Sequence, residues 1–154
     1  MSIIVKIHYK RMTKDNIDLQ APQNSNLLTD ERNRIIVLIV EDDLMNQTVI
    51  KKFLEKRFDT IITDSSDNVP EILISNKIDI ILMDISIQGK MNGLELTTVL
   101  KRSSEFSHIP VIAVTAHVFA ADKVRALKAG CDNYLTKPFS QQSLIDMIYD
   151  CVGK

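Results

Sequence analysis

Three short stretches of this chain are apolar at nearly every position: Ile35-Ile36-Val37-Leu38-Ile39-Val40, Ile78-Asp79-Ile80-Ile81-Leu82-Met83 and Ile109-Pro110-Val111-Ile112-Ala113-Val114. Their brevity and their β-branched side chains favour strands over helices. Successive residues of a strand point to opposite faces, so a run without polar alternation has to be covered on both sides. Strands of that kind belong to parallel sheets with helices packed above and below. The second run ends in a single carboxylate, Asp84, at the strand end where open α/β sheets carry their ligands.

The rest of the chain supplies the helices and two further strands. Leu44 to Arg57 carries Leu44, Met45, Val49, Ile50, Phe53 and Leu54, which predicts a helix with one buried stripe, capped by Asp43. Asp59 to Thr63 is a short strand, and Asp67 to Ser75 a short helix with Val69, Ile72 and Leu73 inward. Pro70 falls in its first turn, where a missing N–H is harmless. The third strand, Asp79 to Met83, leads through a loop to Gly93 and a helix from Leu94 to Ser104 capped by Asn92. The fourth strand ends at Thr115; a helix from Ala120 to Ala129 follows, closed by Gly130 as a C′ residue. Asp132 to Thr136 is the least apolar strand and therefore an edge, and Gln141 to Val152 a last helix burying Leu144, Ile145, Ile148 and Val152. Strand and helix alternate five times. This predicts an α/β fold: a doubly wound five-stranded parallel sheet in the flavodoxin-like order 2-1-3-4-5, with helices on both faces.

A chain of 154 residues suffices for one core. A boundary near Asn33 separates residues 1–33, a strand-like run Ile3–Tyr9 and a polar segment from Thr13 to Asn33 that read as an extension or linker, from a domain over 34–154. A formal charge of −1 gives no reason to expect nucleic acid or an anionic membrane as partner. No apolar run approaches the roughly 18 residues of a membrane span, and there is no signal peptide pattern. Cys131 and Cys151 read as free thiols of a reducing, cytoplasmic environment.

Every notable polar residue falls at one end of this sheet. Glu41, Asp42 and Asp43 follow the first strand, Asp84 the third, Thr115 the fourth and Lys137 the fifth. In the 2-1-3-4-5 order the first and third strands are neighbours, so Asp42 and Asp84 face one pocket. Each residue alone has an ordinary explanation: Asp42 a helix cap, Thr115 an N-cap, Lys137 a surface lysine. Together they repel or cluster for a reason. Carboxylates at one mouth repel unless a cation sits among them; a hard ion such as Mg²⁺ and the ammonium of Lys137 both qualify. Metal, lysine and hydroxyl form a site for a phosphoryl group, with the accessible carboxylate as nucleophile and an aspartyl phosphate as product. No glycine-rich phosphate loop follows the first strand, which argues against a Rossmann dinucleotide site.

From Arg34 to Val152 the chain resembles the receiver domains of two-component response regulators. The resemblance rests on Ile39-Val40-Glu41-Asp42-Asp43, Leu82-Met83-Asp84, Met91-Asn92-Gly93-Leu94, Ile109 to Ala116, and Gly130-Cys131-Asp132-Asn133-Tyr134-Leu135-Thr136-Lys137-Pro138-Phe139, in that order. It implies that Asp84 is the phosphoacceptor, served by a histidine kinase or a histidine phosphotransfer protein. It implies Mg²⁺, with Mn²⁺ as an alternative, held by Asp42 directly, by Glu41 through water, by Asp84 and by the backbone carbonyl of Ser86. Thr115, Ala116, Lys137 and Ser86 would surround the phosphoryl group. Thr115 and Tyr134 would form the switch, altering the face made by the fourth helix, fifth strand and fifth helix, which is also a candidate homodimer face. The bond before Pro138 would be cis. Ser86 and His117 would flank the path of attacking water.

The loop Ile85 to Met91 departs from the pattern: it lacks the usual Met-Pro pair and is one residue longer than the common form, and Glu41 stands for the commoner Asp. No DNA-binding domain follows Val152, so the pattern is that of single-domain members or of hybrid-kinase receivers, with an unidentified downstream protein as target. The expectation is a phosphorylatable switch with weak self-catalysed chemistry, not a turnover enzyme. The alternatives are a phosphorylation-independent pseudo-receiver that serves as an interaction module, and a Mg²⁺-dependent phosphatase or flavin carrier on the same fold.

Overall fold

A computed structural model describes residues 34–116 and 118–153. The strand-like run Ile3–Tyr9, the polar segment from Thr13 to Asn33 and His117 lie outside the described residues.

Eleven elements alternate along the chain: β1 (Ile36–Val40), α1 (Leu44–Leu54), β2 (Asp59–Thr63), a 3₁₀ turn (Ser66–Asn68), α2 (Val69–Ser75), β3 (Ile80–Met83), α3 (Gly93–Arg102), β4 (Val111–Thr115), α4 (Ala120–Ala129), β5 (Asn133–Thr136) and α5 (Gln141–Val152). The strands form one parallel sheet in the order β2-β1-β3-β4-β5. This is the doubly wound order expected from the alternation of apolar runs and helical stripes.

The apolar runs are covered on both faces, which is why they need no polar alternation. Leu38, Val40, Ile81 and Met83 face Val69, Leu73, Leu96, Leu100 and Ala126 from α2, α3 and α4. Val37, Ile39, Ile80 and Leu82 point the other way, toward Ile50, Leu54, Leu144, Ile145 and Ile148 from α1 and α5. Cys131 sits in the first layer and Cys151 in the second, and neither is in a disulfide.

The ends of the elements follow local chemistry. Asp43 caps α1 by accepting from Asn46 N, and Asn92 caps α3 in a capping box with Glu95. Gly130 closes α4 at φ 103°, the left-handed region that glycine enters without strain. At the far end of the sheet Asp79 Oδ2 accepts from Ile36 N at 2.8 Å, which accounts for the one acid inside an apolar run.

Two expectations are corrected. The first helix stops at Leu54, not Arg57, because Glu55-Lys56-Arg57 has nothing apolar to bury and the chain turns there, Phe58 N donating to Leu54 O. Its apolar stripe is also narrower than the sequence suggests. Ile50 and Leu54 are buried and Phe53 half-buried, but Leu44, Met45 and Val49 are exposed. A helix resting on a sheet buries only one stripe of its circumference, and Leu44 and Met45 occupy the first turn beyond the edge of that stripe.

Candidate functional site

The C-terminal ends of β1 and β3 lie side by side, with Val40 opposite Met83. The residues that follow, Glu41, Asp42 and Asp84, therefore emerge together. Backbone bonds fix them there: Asp84 N donates to Val40 O at 2.9 Å and Glu41 N to Thr63 O at 3.0 Å. Each of the three offers a carboxylate oxygen, and these lie within 4.8 Å of one another. Glu41 and Asp84 are buried, Asp42 half-buried. Asp43, not Asp42, caps the helix, and α4 begins at Ala120 with Phe119 in the capping position, so neither Asp42 nor Thr115 is used as a cap.

Lys137 reaches this group from the end of β5. Its Nζ donates to Glu41 Oε2 at 2.5 Å and to Asp84 Oδ2 at 2.8 Å, with the side chain 15 % exposed. Its backbone N donates to Thr115 O at 2.8 Å, tying it to the tip of β4, and the Lys137–Pro138 peptide is cis. Burial raises the Glu41 carboxyl above the usual carboxylate range, against the pull of the Lys137 and Asn46 hydrogen bonds and with the help of the Asp84 charge. Burial lowers the Lys137 ammonium, but the hydrogen bonds to Asp84 and Glu41 outweigh it and hold Lys137 above the usual lysine value. Three clustered carboxylates facing one ammonium leave surplus negative charge. Hard oxygen donors at this spacing suit Mg²⁺ or Mn²⁺.

Thr115 is fully buried at the tip of β4 and Ala116 is exposed in the bend beyond it. Ser86 is exposed, and its backbone N donates to Asp84 Oδ1 at 2.8 Å. Tyr134 lies apart from the acids, on β5 opposite Ala113, half-buried against the layer that holds Ala126. Its hydroxyl is raised above the usual tyrosine value by burial and by the Asp122 carboxylate, with Arg125 opposing.

Other residues serve the site without standing out in the sequence. Asn46 Nδ2 donates to Glu41 Oε1 at 3.1 Å and Gln47 Nε2 to Glu41 O at 2.6 Å, orienting the buried acid. Their position in the first turn of a helix that starts just after an acid pair was the available signal. Gly93 is required by close approach: a Cβ there would lie 2.2 Å from Asp84 O. Beside Lys137 opens a cleft of about 300 Å³ lined by Asn46, Val49, Ile50, Lys137, Pro138 and Phe139.

Residues 37–149 match the family described as "Response regulator receiver domain". The chain is 37 % identical over 118 residues to the polar-differentiation response regulator DivK of Brucella ovis, covering 76 % of this chain and 95 % of that protein. Among solved structures it is similar to the receiver domain of a sensor histidine kinase of Pseudomonas aeruginosa PAO1, which holds a magnesium ion coordinated in its active site cleft. That similarity has a TM-score of 0.72 and 27 % identity over 79 % of this chain and 100 % of the other. A Francisella response regulator receiver domain aligns with a TM-score of 0.71 and 29 % identity, over 79 % of this chain and 98 % of its own.

Proposed function

Since this chain belongs to the response regulator receiver domain family, whose members act in two-component phosphorelay signalling, we propose that Asp84 is its phosphoacceptor. The observation that carries this reading is the double engagement of one buried carboxylate. Asp84 belongs to the acid trio suited to a divalent cation, and the same carboxylate is held by Lys137. The phosphodonor is a histidine kinase or a histidine phosphotransfer protein.

In the transfer, an Asp84 carboxylate oxygen bonds to phosphorus as the P–N bond of phosphohistidine breaks, and the departing imidazole takes a proton from solvent. Asp84, Asp42, the Ser86 carbonyl and, through water, Glu41 would hold Mg²⁺ or Mn²⁺, which when bound would supply positive charge to the phosphoryl oxygens. Lys137 keeps its bond to Glu41 and exchanges Asp84 Oδ2 for a phosphoryl oxygen. Glu41 thus holds the ammonium in place through the reaction. The Thr115 hydroxyl and the Ala116 backbone complete the phosphoryl pocket. Movement of Thr115 draws Tyr134 inward and alters the surface of α4, β5 and α5, which a downstream protein or a second copy reads. Residues 34–154 are the receiver and 1–33 an extension to it. Among the described residues no helix is long and apolar enough to cross a membrane.

The test is intact-mass measurement after incubation with acetyl phosphate and Mg²⁺. The protein gains one phosphoryl group; Asp84→Asn gains none, and chelation of the cation abolishes the gain. A protein that stays unmodified with acetyl phosphate and with other small donors is instead a phosphorylation-independent interaction module.

A further inference from the structure

The segment from Thr63 to Asn68 carries none of Glu41, Asp42 and Asp84, yet it touches both loops that do. Thr63 O accepts from Glu41 N at 3.0 Å, at the base of the first acidic loop. Three features join the same segment to the loop after Asp84. Ser66 N donates to Gln88 O at 3.0 Å, and Lys90 N donates to Asp67 Oδ1 at 3.0 Å. Gly89 lies directly over the buried Ser66: a Cβ built on it would stand 2.1 Å from Ser66 Oγ and 3.1 Å from Ser65 Oγ. Gly89 also has φ 135°, which residues other than glycine rarely adopt.

The segment is stiff in its own right. Thr63 Oγ1 is its hub, donating to Ser65 O at 3.2 Å and accepting from Ser65 N at 3.4 Å and Asn68 Nδ2 at 3.3 Å. Ser65 Oγ accepts from Asp67 N at 3.2 Å. On the other side, the loop it meets is anchored by Ile87, which is 3 % exposed and packed in the core. A rigid element bonded to both acidic loops fixes their separation, and the separation of donor atoms is what a small octahedral cation tests most strictly.

We propose that the segment Thr63–Asn68 is a brace that sets the spacing of the Glu41-Asp42 and Asp84-Ser86 loops for divalent cation binding, with Ser66, Asp67 and Gly89 as positioning residues. This rests on the reading of the acid trio as a cation site and extends it to residues that do not touch the ion. Within the loop from Ile85 to Met91, Gln88, Gly89 and Lys90 are the residues that meet the brace.

The experiment is Mg²⁺ titration by calorimetry, with chemical denaturation run alongside on each variant. Gly89→Ala weakens Mg²⁺ binding by about tenfold or more, the lower end of losses seen when groups that orient metal ligands are removed. Asp67→Ala, an exposed change with little risk to folding, weakens it by a smaller factor. Ser66→Gly added to Gly89→Ala removes the colliding hydroxyl and restores part of the affinity. Lys101→Met, at the opposite end of the sheet, lowers stability and leaves the Mg²⁺ affinity unchanged. If Gly89→Ala and Asp67→Ala bind Mg²⁺ as tightly as the unsubstituted protein, the brace is overturned. If the unsubstituted protein itself shows no Mg²⁺ binding, the cation reading beneath it falls as well, and the two failures are told apart by that control.

Discussion

Lys137 and the acids around it pull stability in opposite directions. Replacing Lys137 by Met leaves Glu41 and Asp84 buried beside each other without their cation, and removing one partner of a buried pair costs about 3 kcal/mol. Replacing Asp84 by Asn does the reverse. It removes one charge of a crowded trio while Lys137 keeps Glu41, so Asp84→Asn melts at or above the temperature of the unsubstituted protein and Lys137→Met well below it. Thermal denaturation of the two variants in metal-free buffer checks the contrast. Cys131 gives a pH dependence of known sign. Burial pushes its thiol from 9.0 up to about 11, against a hydrogen bond with Thr97. Well below pH 9 the thiol is protonated in both the folded and the unfolded chain. As pH rises from about 9 to 11 the unfolded chain alone loses the proton, and stability falls by up to about 2.7 kcal/mol. Denaturation midpoints across that range show the slope, and Cys131→Ala flattens it. The acids and the lysine were legible residue by residue, because charged groups at the ends of apolar runs stand out. Asn46 and Gln47 were not: amides on a helix look like solvated polar residues until the turn is built and their donors point at Glu41.

At the scale of elements, the helices owe their limits to caps, and the caps are testable. Asn92 accepts from both Leu94 N and Glu95 N at 3.0 Å, and Glu95 Oε2 accepts from Asn92 N at 3.0 Å. Asn92→Ala leaves these amides to water and costs about 1 kcal/mol, read as a lower denaturant midpoint with an unchanged slope. Far from the acids, Lys101 joins α3 to the start of β4 and to β5: its Nζ donates to Ile109 O at 2.9 Å and Asp132 Oδ2 at 2.8 Å, and Asp132 Oδ2 also accepts from Val111 N. That explains the acid immediately before the least apolar strand. The limits of α4 and α5 agree with the sequence to the residue; Gly130 closes α4 in the left-handed region, and Ser140 caps α5 by accepting from Ser143 N. The sequence carries α1 past Leu54, since Glu55-Lys56-Arg57 are good helix formers; in the structure they have nothing apolar to bury, and Arg34 bonds to Glu55 O and Phe58 O where the chain turns.

For the whole molecule, cation binding at the acid trio, as proposed, is also a stability device. An ion that binds only the folded arrangement of Glu41, Asp42 and Asp84 stabilises it by mass action, by about 2.7 kcal/mol at a hundred times the dissociation constant. The melting temperature therefore rises with Mg²⁺ concentration, and Asp42→Asn loses most of that rise; differential scanning calorimetry at a series of Mg²⁺ concentrations measures both. The sequence by itself determined the architecture. Apolar runs without alternation require cover on both faces, and five strand–helix units leave few ways to arrange a sheet, so order, layers and the end of the sheet carrying the acids all followed. Only the tertiary structure decided how those acids are held. The distances from Lys137 to Glu41 and Asp84 and the packing of Thr63–Asn68 against Gly89 join residues far apart in the chain. No local pattern encodes such a pairing, because its energy exists only once the strands have set the register.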